Sequence, residues 1–319
     1  MTAPATTAAT HAPRVRRSPA DRIFSSSTVI AGGLILAILA AVALFLVVQS
    51  VPALTAPADE VSLSGYPGSF WAYVGPLAFG TVYAAALALL MALPVAVGIA
   101  LFISHYAPRK LAQGLGYVID LLAAVPSVVF GLWGSIVLAP AIQPFYSWLV
   151  DTFGWFPLFA GPVSGTGRTL LTASIVLAVM ILPIVTALSR EVFLQTPTLH
   201  EEAALALGAT RWEMIRVAVL PFGRPGVISA AMLGLGRALG ETMAVALVLS
   251  PALVVNPAIL TSTNSSTIAA NIALRFPEAH DIGINTLIAT GLVLFVITLV
   301  VNSIARYVIN RRKAFSGAN

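Results

Sequence analysis

The sequence predicts an all-α membrane protein with six spanning helices. Of its 319 residues, 58% are hydrophobic and only 9% are charged, and the mean hydropathy is +0.94. Soluble domains usually carry about 25% charged residues. Uncharged or weakly charged apolar stretches, each near the roughly 20 residues that cross a bilayer, recur six times along the chain. There is no cysteine, which excludes disulfide bonds and thiolate metal sites.

The chain divides into tails, a first helix and a main transmembrane domain. A polar, basic tail over residues 1–27 is rich in Ala, Thr and Pro and is predicted to be disordered. We interpret residues 28–50 as a membrane helix rather than a signal peptide, because the apolar run exceeds the usual length of about 7–15 residues. The predicted regions are the tail 1–27, the helix 28–50, an extracytoplasmic loop 51–75, the main transmembrane domain 76–308 and a tail 309–319. Its spans are expected at about 76–104, 111–140, 169–189, 226–251 and 282–305.

The distribution of basic residues predicts the orientation. Six spans place both termini on one side of the membrane. If that side is the cytoplasm, 14 of the 17 Lys and Arg residues lie there, since only Arg168 and Arg275 fall outside and Arg237 lies within the membrane. Basic residues at the ends of spans also explain the pI near 9.9. We therefore expect a lipid bilayer and no nucleic acid among the partners.

The predicted fifth span, residues 226–251, carries two charges in its middle. Arg237 lies about 17 Å from the start of this helix, near the bilayer midplane. A lone charge there costs roughly 2.5–3.5 kcal/mol, so both side chains are expected to contact protein or water. Glu241 follows at i+4 and is expected on the same helix face. Three glycines of this helix are expected to let a neighbouring helix approach closely: Gly234, Gly236 and Gly240.

The remaining chemistry of the chain is sparse. Asp120 lies in the predicted third span near the cytoplasmic face, and we expect it to pair with a basic residue because buried charges usually do. No nucleophile, acid and base are brought together by the sequence. The glycine-rich stretch 234–240 has the spacing GxGxxxG and no strand before it, so it is not a dinucleotide-binding fingerprint. The chain is therefore predicted to have no enzymatic activity, no metal and no cofactor of its own.

The most charged segment, residues 196–225, lies on the predicted cytoplasmic side. Two capping boxes, at 198–201 and 210–213, predict two short helices. Gly208 is expected to take the left-handed conformation that ends the first of them. Two prolines then mark the expected bend into the fifth span. From physics alone, the segment is equally well a solvated connector or a surface for a soluble partner.

This segment resembles the EAA loop of type I ABC importer permeases. The motif EAA-x3-G-x9-I-x-LP is matched from Glu202 to Pro221, with Ala218 in place of the isoleucine. The resemblance covers residues 71–305 and implies the MetI-like fold, with the loop docked on a separate ATPase subunit that binds ATP and Mg. The coupling residues that it implies are Glu201, Glu202, Ala203, Ala204, Gly208, Leu220 and Pro221.

Two further stretches resemble the phosphate-specific permeases of the PstC type, in the CysTW/PstC-like family. They are GLGRALGETMAV at 234–245 and AVPSVVFGLWG at 124–134. The resemblance implies phosphate import through a pathway in which Arg237 contacts the anion, Glu241 steers or gates it and Thr242 lies beside them. A purely structural Arg237–Glu241 pair remains the alternative.

The same resemblance implies an assembly in a bacterial cell membrane. The expected partners are a second permease subunit of the PstA type, a dimer of PstB-type ATPase subunits and an extracytoplasmic phosphate-binding protein of the PstS type. Two alternatives stay open at this point. One is a permease for another oxyanion, such as molybdate or sulfate, and the other is a stand-alone secondary transporter.

Overall fold

A computed structural model describes residues 19–57 and 69–313 of the chain. Most of the N-terminal tail that is predicted to be disordered lies outside the described residues. Residues 58–68 of the expected extracytoplasmic loop and residues 314–319 of the C-terminal tail also lie outside them. The chain divides by its contacts into two compact units, Met1–Val48 and Gln49–Asn319.

The described chain consists almost entirely of helices. In chain order these are α1 (Pro19–Thr55), α2 (Phe70–Leu101), α3 (Arg109–Ala123), α4 (Ser127–Trp133), α5 (Ala139–Phe153), α6 (Leu170–Leu194), α7 (Thr198–Ala206), α8 (Arg211–Met214), α9 (Leu220–Leu239), α10 (Met243–Val248), α11 (Ile268–Arg275) and α12 (Ile282–Lys313). Shorter π and 3-10 turns lie at Phe102–Tyr106, Gly134–Leu138, Ile215–Val219 and Phe276–Glu278. The strands β1 (Pro251–Ala252) and β2 (Asn264–Ser265) pair in parallel.

The predicted all-α fold with six spanning helices is confirmed. Six helices in the described residues are long and apolar enough to cross a membrane. They are Ile23–Thr55, Phe70–Tyr106, Ser127–Phe153, Leu170–Leu194, Arg211–Leu239 and Ile282–Tyr307.

The long first helix has two different environments along its length. In the first unit, large apolar side chains such as Ile30 and Leu36 are exposed, as expected of a helix surrounded by lipid. In the second unit, Ala53 packs in a small cluster with Phe70 and Ala289. The last turns of α1 therefore belong to the helix bundle.

Helix α6 is the centre of the bundle. It packs against α2 and α9, and two-thirds of its most apolar stretch is buried, the largest share among the candidate spans of the described chain. Small side chains of α2, including Ala84, Ala88 and Ala92, are fully buried against this core. Because small residues let helix backbones approach closely, van der Waals packing holds these helices together in the membrane.

The predicted third span is wrong in its position. The expected helix over 111–140 is divided at Ala124–Pro126, and the candidate span runs instead from Ser127 to Phe153. The proline has no N–H and disfavours helical conformation in the residue before it, which explains the break. Helix α3 is amphipathic and precedes the candidate span. Asp120 lies on α3, outside the candidate spans of the described chain, and is exposed.

The predicted fifth span is wrong in its continuity. Instead of one helix over 226–251, the chain is helical from Arg211 through Leu239, is interrupted at Gly240–Thr242, and resumes as α10. Glycine readily leaves helical geometry, and a carboxylate follows it that can satisfy the free amides of a new helix. Arg237 is therefore in the last turn of α9 rather than in the middle of a helix.

The polar segment between α10 and α12 packs deep against α2. Ser265 and Ser266 lie so close to Gly80 that a Cβ there would clash with the Ser266 carbonyl oxygen. Thr81 Oγ1 accepts a hydrogen bond of 2.9 Å from the Ile268 amide at the start of α11. Gly80 is ten residues into α2, about 15 Å along its axis. The segment thus reaches well along a spanning helix, and its backbone finds polar partners inside the protein, as irregular structure at this depth requires.

Candidate functional site

The guanidinium of Arg237 has no partner in the described chain. Arg237 is partly buried in the last turn of α9, and neither an ion pair nor a hydrogen bond joins it to any residue within 19–57 or 69–313. It lines a cavity of about 730 Å³ between α6, α9 and α12. An arginine that keeps all of its planar donors free in a cavity is well suited to bind an oxyanion.

Three more polar residues line the same cavity. They are Ser229 of α9, and Asn302 and Arg306 of α12. Arg306 lies one residue past the expected end of the last span at 305, whereas the helix itself runs from Ile282 to Lys313. The spacing of Asn302 and Arg306, four residues apart, would have placed them on one face of a longer helix.

Glu241 does not pair with Arg237. The residue lies in the interruption after α9, and in the described chain no contact within 4.0 Å joins the two side chains. The expectation that both share one helix face at i+4 is therefore wrong, because helical spacing ends at Gly240. The side chain is 9% exposed, and its Oε1 accepts a hydrogen bond of 3.0 Å from the Ala244 amide. A carboxylate in this place satisfies a free amide and interacts favourably with the positive end of α10.

Thr242 completes the interruption. Its Oγ1 donates to the Gly240 carbonyl oxygen over 3.2 Å, and its own carbonyl oxygen accepts from the Ala246 amide over 3.0 Å. Within the interruption, Glu241 and Thr242 thus satisfy backbone groups that the end of α9 and the start of α10 leave open. The interruption is therefore an ordered junction in which the end of α9 is followed closely by the N-cap of α10.

The three glycines around Arg237 have different environments. A Cβ on Gly234 would lie 2.8 Å from Val185 Cγ2 of α6, so this glycine permits the close contact between α9 and α6. A Cβ on Gly236 would meet no atom within 4 Å, and one on Gly240 would meet only the Gly236 carbonyl oxygen, at 3.7 Å. Within the described chain, the expected close helix contact therefore does not hold for Gly236 and Gly240. Gly236 lines the cavity and Gly240 ends the helix.

The cytoplasmic segment forms the expected pair of short helices. Gly208 has a φ of +82° and separates α7 from α8. The capping box at Thr210 and Glu213 is present, with the Glu213 carboxylate accepting from the Thr210 amide over 2.7 Å. The other capping box is wrong: α7 begins one residue earlier, at Thr198, with Pro197 as its cap and no side-chain bond. Pro197 has an extended backbone conformation and occupies the N-cap position that we expected for Thr198. Thr198 is therefore the first residue of the helix.

Helix α7 presents one side to the protein and leaves the other open. Ala204 packs on a buried cluster around Phe193 and Ile215, and Glu201 Oε1 lies 3.4 Å from His105 Nε2 in the π turn that follows α2. On the open side, Glu202 and Ala203 are exposed, and Leu207 is 90% exposed. These exposed residues are available to a partner.

The segment is joined stiffly to the helix that carries Arg237. From Arg211 the chain passes through α8 and a π turn into α9 without a break. Met214 and Val219 are buried in the Phe193 cluster, and Leu220 packs at its edge, while Pro221 is exposed at the start of α9. The π turn immediately precedes this proline, whose missing N–H cannot continue the usual bonding pattern. Packed side chains and the continuous helix from Arg211 thus connect α7 to α9.

Asp120 takes no part in this arrangement. It is exposed on α3, and no basic partner for it is found among the described residues. The glycine one turn earlier, Gly116, lies against the Arg190 guanidinium of α6, where a Cβ would be 2.9 Å from Nη1. The same residues, 19–57 and 69–313, contain no cluster of three His, Asp or Glu side chains that could hold a metal ion.

The chain resembles solved transporter structures in its fold. A bacterial ABC transporter involved in the import of alginate matches over 92% of this chain and 96% of its own, with a TM-score of 0.59 and 18% identity. The MetNI methionine ABC transporter in inward-facing form matches over 75% and 94%, with a TM-score of 0.53 and 17% identity. At these identities the likeness establishes the fold of ABC importer permeases.

Relatives found by sequence share a higher identity with this chain than those two solved structures do. The family model for binding-protein-dependent transport system inner membrane components matches residues 92–314. The phosphate transport system permease protein PstC 2 of Mycobacterium tuberculosis is 46% identical over 297 residues, 90% of each chain. PstC of Mycobacterium leprae is 50% identical over 72% of this chain and 75% of its own, and PstC of Mesorhizobium japonicum is 40% identical over 93% and 92%. This chain therefore belongs to the family of binding-protein-dependent inner membrane transport components, among the phosphate transport system permeases of the PstC type.

Proposed function

We propose that this chain forms half of a membrane pathway for inorganic phosphate in an ATP-driven importer. The observation that carries the proposal is the unpaired Arg237 in a cavity of the described chain that no acidic residue lines, in a chain whose relatives are named as phosphate permeases. A guanidinium binds a phosphate oxyanion through paired donors. Because the cavity is partly open, we expect the affinity for phosphate to be low. A low affinity lets the bound anion leave, as a transport pathway requires.

The roles of the neighbouring residues follow from their contacts. Arg237 contacts the anion. Glu241 gates the pathway through the junction between α9 and α10, which its bond to the Ala244 amide supports. Thr242 lies in that junction and lines the phosphate pathway there. In this proposal Glu241 acts on the shape of the pathway and does not neutralise Arg237.

Coupling to ATP takes place through the cytoplasmic helices. The exposed side of α7, with Glu202, Ala203 and Leu207, docks on a PstB-type ATPase subunit that binds ATP and Mg. The chain itself hydrolyses nothing. Closure of the ATPase dimer displaces α7, and the packed connection through Val219 and Leu220 moves α9 and the cavity with it.

The complete importer needs three further kinds of subunit. A PstA-type permease supplies the other half of the pathway, two PstB-type subunits lie on the cytoplasmic side, and a PstS-type protein delivers phosphate from outside. We place the assembly in the bacterial cell membrane with both termini of this chain in the cytoplasm. The excess of basic residues on that side supports the orientation.

The test is the ATPase activity of the reconstituted complex. The chain is co-purified with its permease and ATPase partners, placed in liposomes and supplied with the binding protein. We expect phosphate-loaded binding protein to stimulate ATP hydrolysis severalfold, and sulfate or molybdate to have no effect. Stimulation by another oxyanion in place of phosphate would assign a different substrate. Transport by the purified chain without ATP would instead indicate a stand-alone transporter.

A further inference from the structure

A second cation lines the cavity at Arg237. Arg306 belongs to α12, and the side chains that line the cavity beside it include Asn302 and Ser229. The other lining residues of the described chain are apolar or glycine, and none is Asp or Glu. An oxyanion in this cavity would therefore meet positive donors and no acidic side chain among the described residues.

The donors are spread along the cavity. Asn302 and Arg306 are four residues apart and lie on one face of α12. On α9, Arg237 supplies the free donors, since the Ser229 hydroxyl donates to the Pro225 carbonyl oxygen over 3.0 Å. The side chains of Asn302 and Arg306 make no hydrogen bond or ion pair within the described part of the chain. The cavity therefore holds free donors on two helices, enough for more than one position of a small anion.

We propose that Arg306 and Asn302 form a second binding position for a phosphate oxyanion, in the same cavity as Arg237 and nearer the cytoplasmic face. Arg306 is the second-last residue of the candidate span Ile282–Tyr307, whereas Arg237 lies on the opposing helix near the far end of its own span. Two sources present the same chemical group here. One is the transported phosphate on its way to the cytoplasm, which rests on the proposed function, and the other is the headgroup of an anionic phospholipid.

The competing explanation is that Arg306 only extends to the membrane surface. Long basic side chains near helix ends commonly place their charge at the interface in this way. That explanation predicts no oxyanion in the cavity and no effect of the charge on transport. The binding position predicts an oxyanion in the cavity and the alternative predicts none, so measuring whether the cavity is occupied separates them.

Occupancy is measured by labelling, which the absence of cysteine in the chain makes unambiguous. Leu233 is exposed and lines the cavity, so Leu233→Cys places a thiol there without removing a polar group. Phe222→Cys, also exposed on α9 but outside the cavity, is the matched control. The assembled complex is placed in phosphatidylcholine nanodiscs and treated with a maleimide, with inorganic phosphate or with chloride at equal ionic strength.

We expect inorganic phosphate to slow labelling of Leu233→Cys severalfold and to leave Phe222→Cys unchanged. Adding Arg306→Gln removes most of this protection. Protection that appears only in nanodiscs containing phosphatidylglycerol, without added phosphate, identifies the lipid headgroup as the source. Equal labelling rates in every condition overturn the binding position.

Uptake of labelled phosphate separates this inference from the proposed function. If the bound group is the transported phosphate, Arg306→Gln lowers uptake about tenfold, as loss of one charge-assisted hydrogen bond predicts. Arg306→Lys retains part of the uptake, and Arg109→Gln, an exposed arginine on α3, retains all of it. A wild-type complex without phosphate uptake overturns the proposed function, and the labelling then decides for or against the headgroup. Normal uptake by Arg306→Gln together with unprotected labelling overturns this inference alone.

Discussion

A carboxylate caps a helix start on each side of the stretch Arg211–Leu239: Glu213 at the start of this stretch and Glu241 at the start of the next helix. At the cytoplasmic end, Thr210 and Glu213 form an exposed capping box, and the sequence alone predicts it. At the other end, Glu241 is buried and caps the next helix rather than pairing with Arg237. Both contacts are local, because donor and acceptor lie three residues apart in the chain. The comparison teaches that the exposed cap was readable as a motif, whereas the apolar residues around Glu241 concealed an equally local cap.

The largest effect is expected at the buried end, from Arg237→Ala. Loss of a charge-assisted hydrogen-bond pair, about 1.5–3 kcal/mol, lowers phosphate uptake by roughly 10- to 150-fold. The guanidinium has no partner in the described chain, so the assembled complex is expected in normal amounts. Uptake is measured in cells at matched levels of complex. Normal uptake would exclude Arg237 from the pathway.

The next effect concerns packing beside Arg237. Gly234→Ala places a Cβ 2.8 Å from Val185 Cγ2, and overpacking of this kind costs about 1–3 kcal/mol. Gly236→Ala is the matched control, because its Cβ would meet nothing within 4 Å. We expect a lower melting temperature of the solubilised complex for the first variant only. Equal melting temperatures would mean that α9 and α6 are less tightly packed than the structure indicates.

A somewhat smaller effect is expected from the buried cap. Glu241→Ala leaves the Ala244 amide without its partner, which costs about 1–2 kcal/mol. Glu241→Gln keeps an acceptor oxygen and is expected to recover most of the melting temperature. If Gln were as destabilising as Ala, the charge of Glu241 rather than its hydrogen bond would be what the junction needs.

The smallest effect is expected at the exposed end. Thr210→Ala removes the side chain that accepts from the Glu213 amide, at a cost of about 1 kcal/mol. Thr210→Ser keeps the acceptor and serves as the control. The measurement is the melting temperature together with phosphate-stimulated ATPase activity. A larger loss of stimulation than of stability would show that the start of α8 also contributes to coupling.

Much of the cytoplasmic segment could be predicted because its signals are local. Gly208 and the box at Thr210 act on backbone within a few residues, and both are where the sequence placed them. Pro197 is a local signal that we missed, since it replaces Thr198 as the cap of α7. The division of the third span was also readable, because Pro126 interrupts the helical pattern. Hydropathy alone concealed it, since the apolar residues continue across the break.

By itself, the sequence determined the fold class, the number of spanning helices, the cytoplasmic helix pair and the presence of an arginine within a span. Each of these features depends on composition or on spacing over a few residues. None of them requires knowing which residues are close in space. Only the tertiary structure decided that Glu241 lies past the end of α9 and that Arg237 shares a cavity with Arg306. The apolar residues continue across the end of α9, so the sequence pattern concealed that helix end. Arg237 and Arg306 lie on different helices, and the packing of α6, α9 and α12 sets which residues meet.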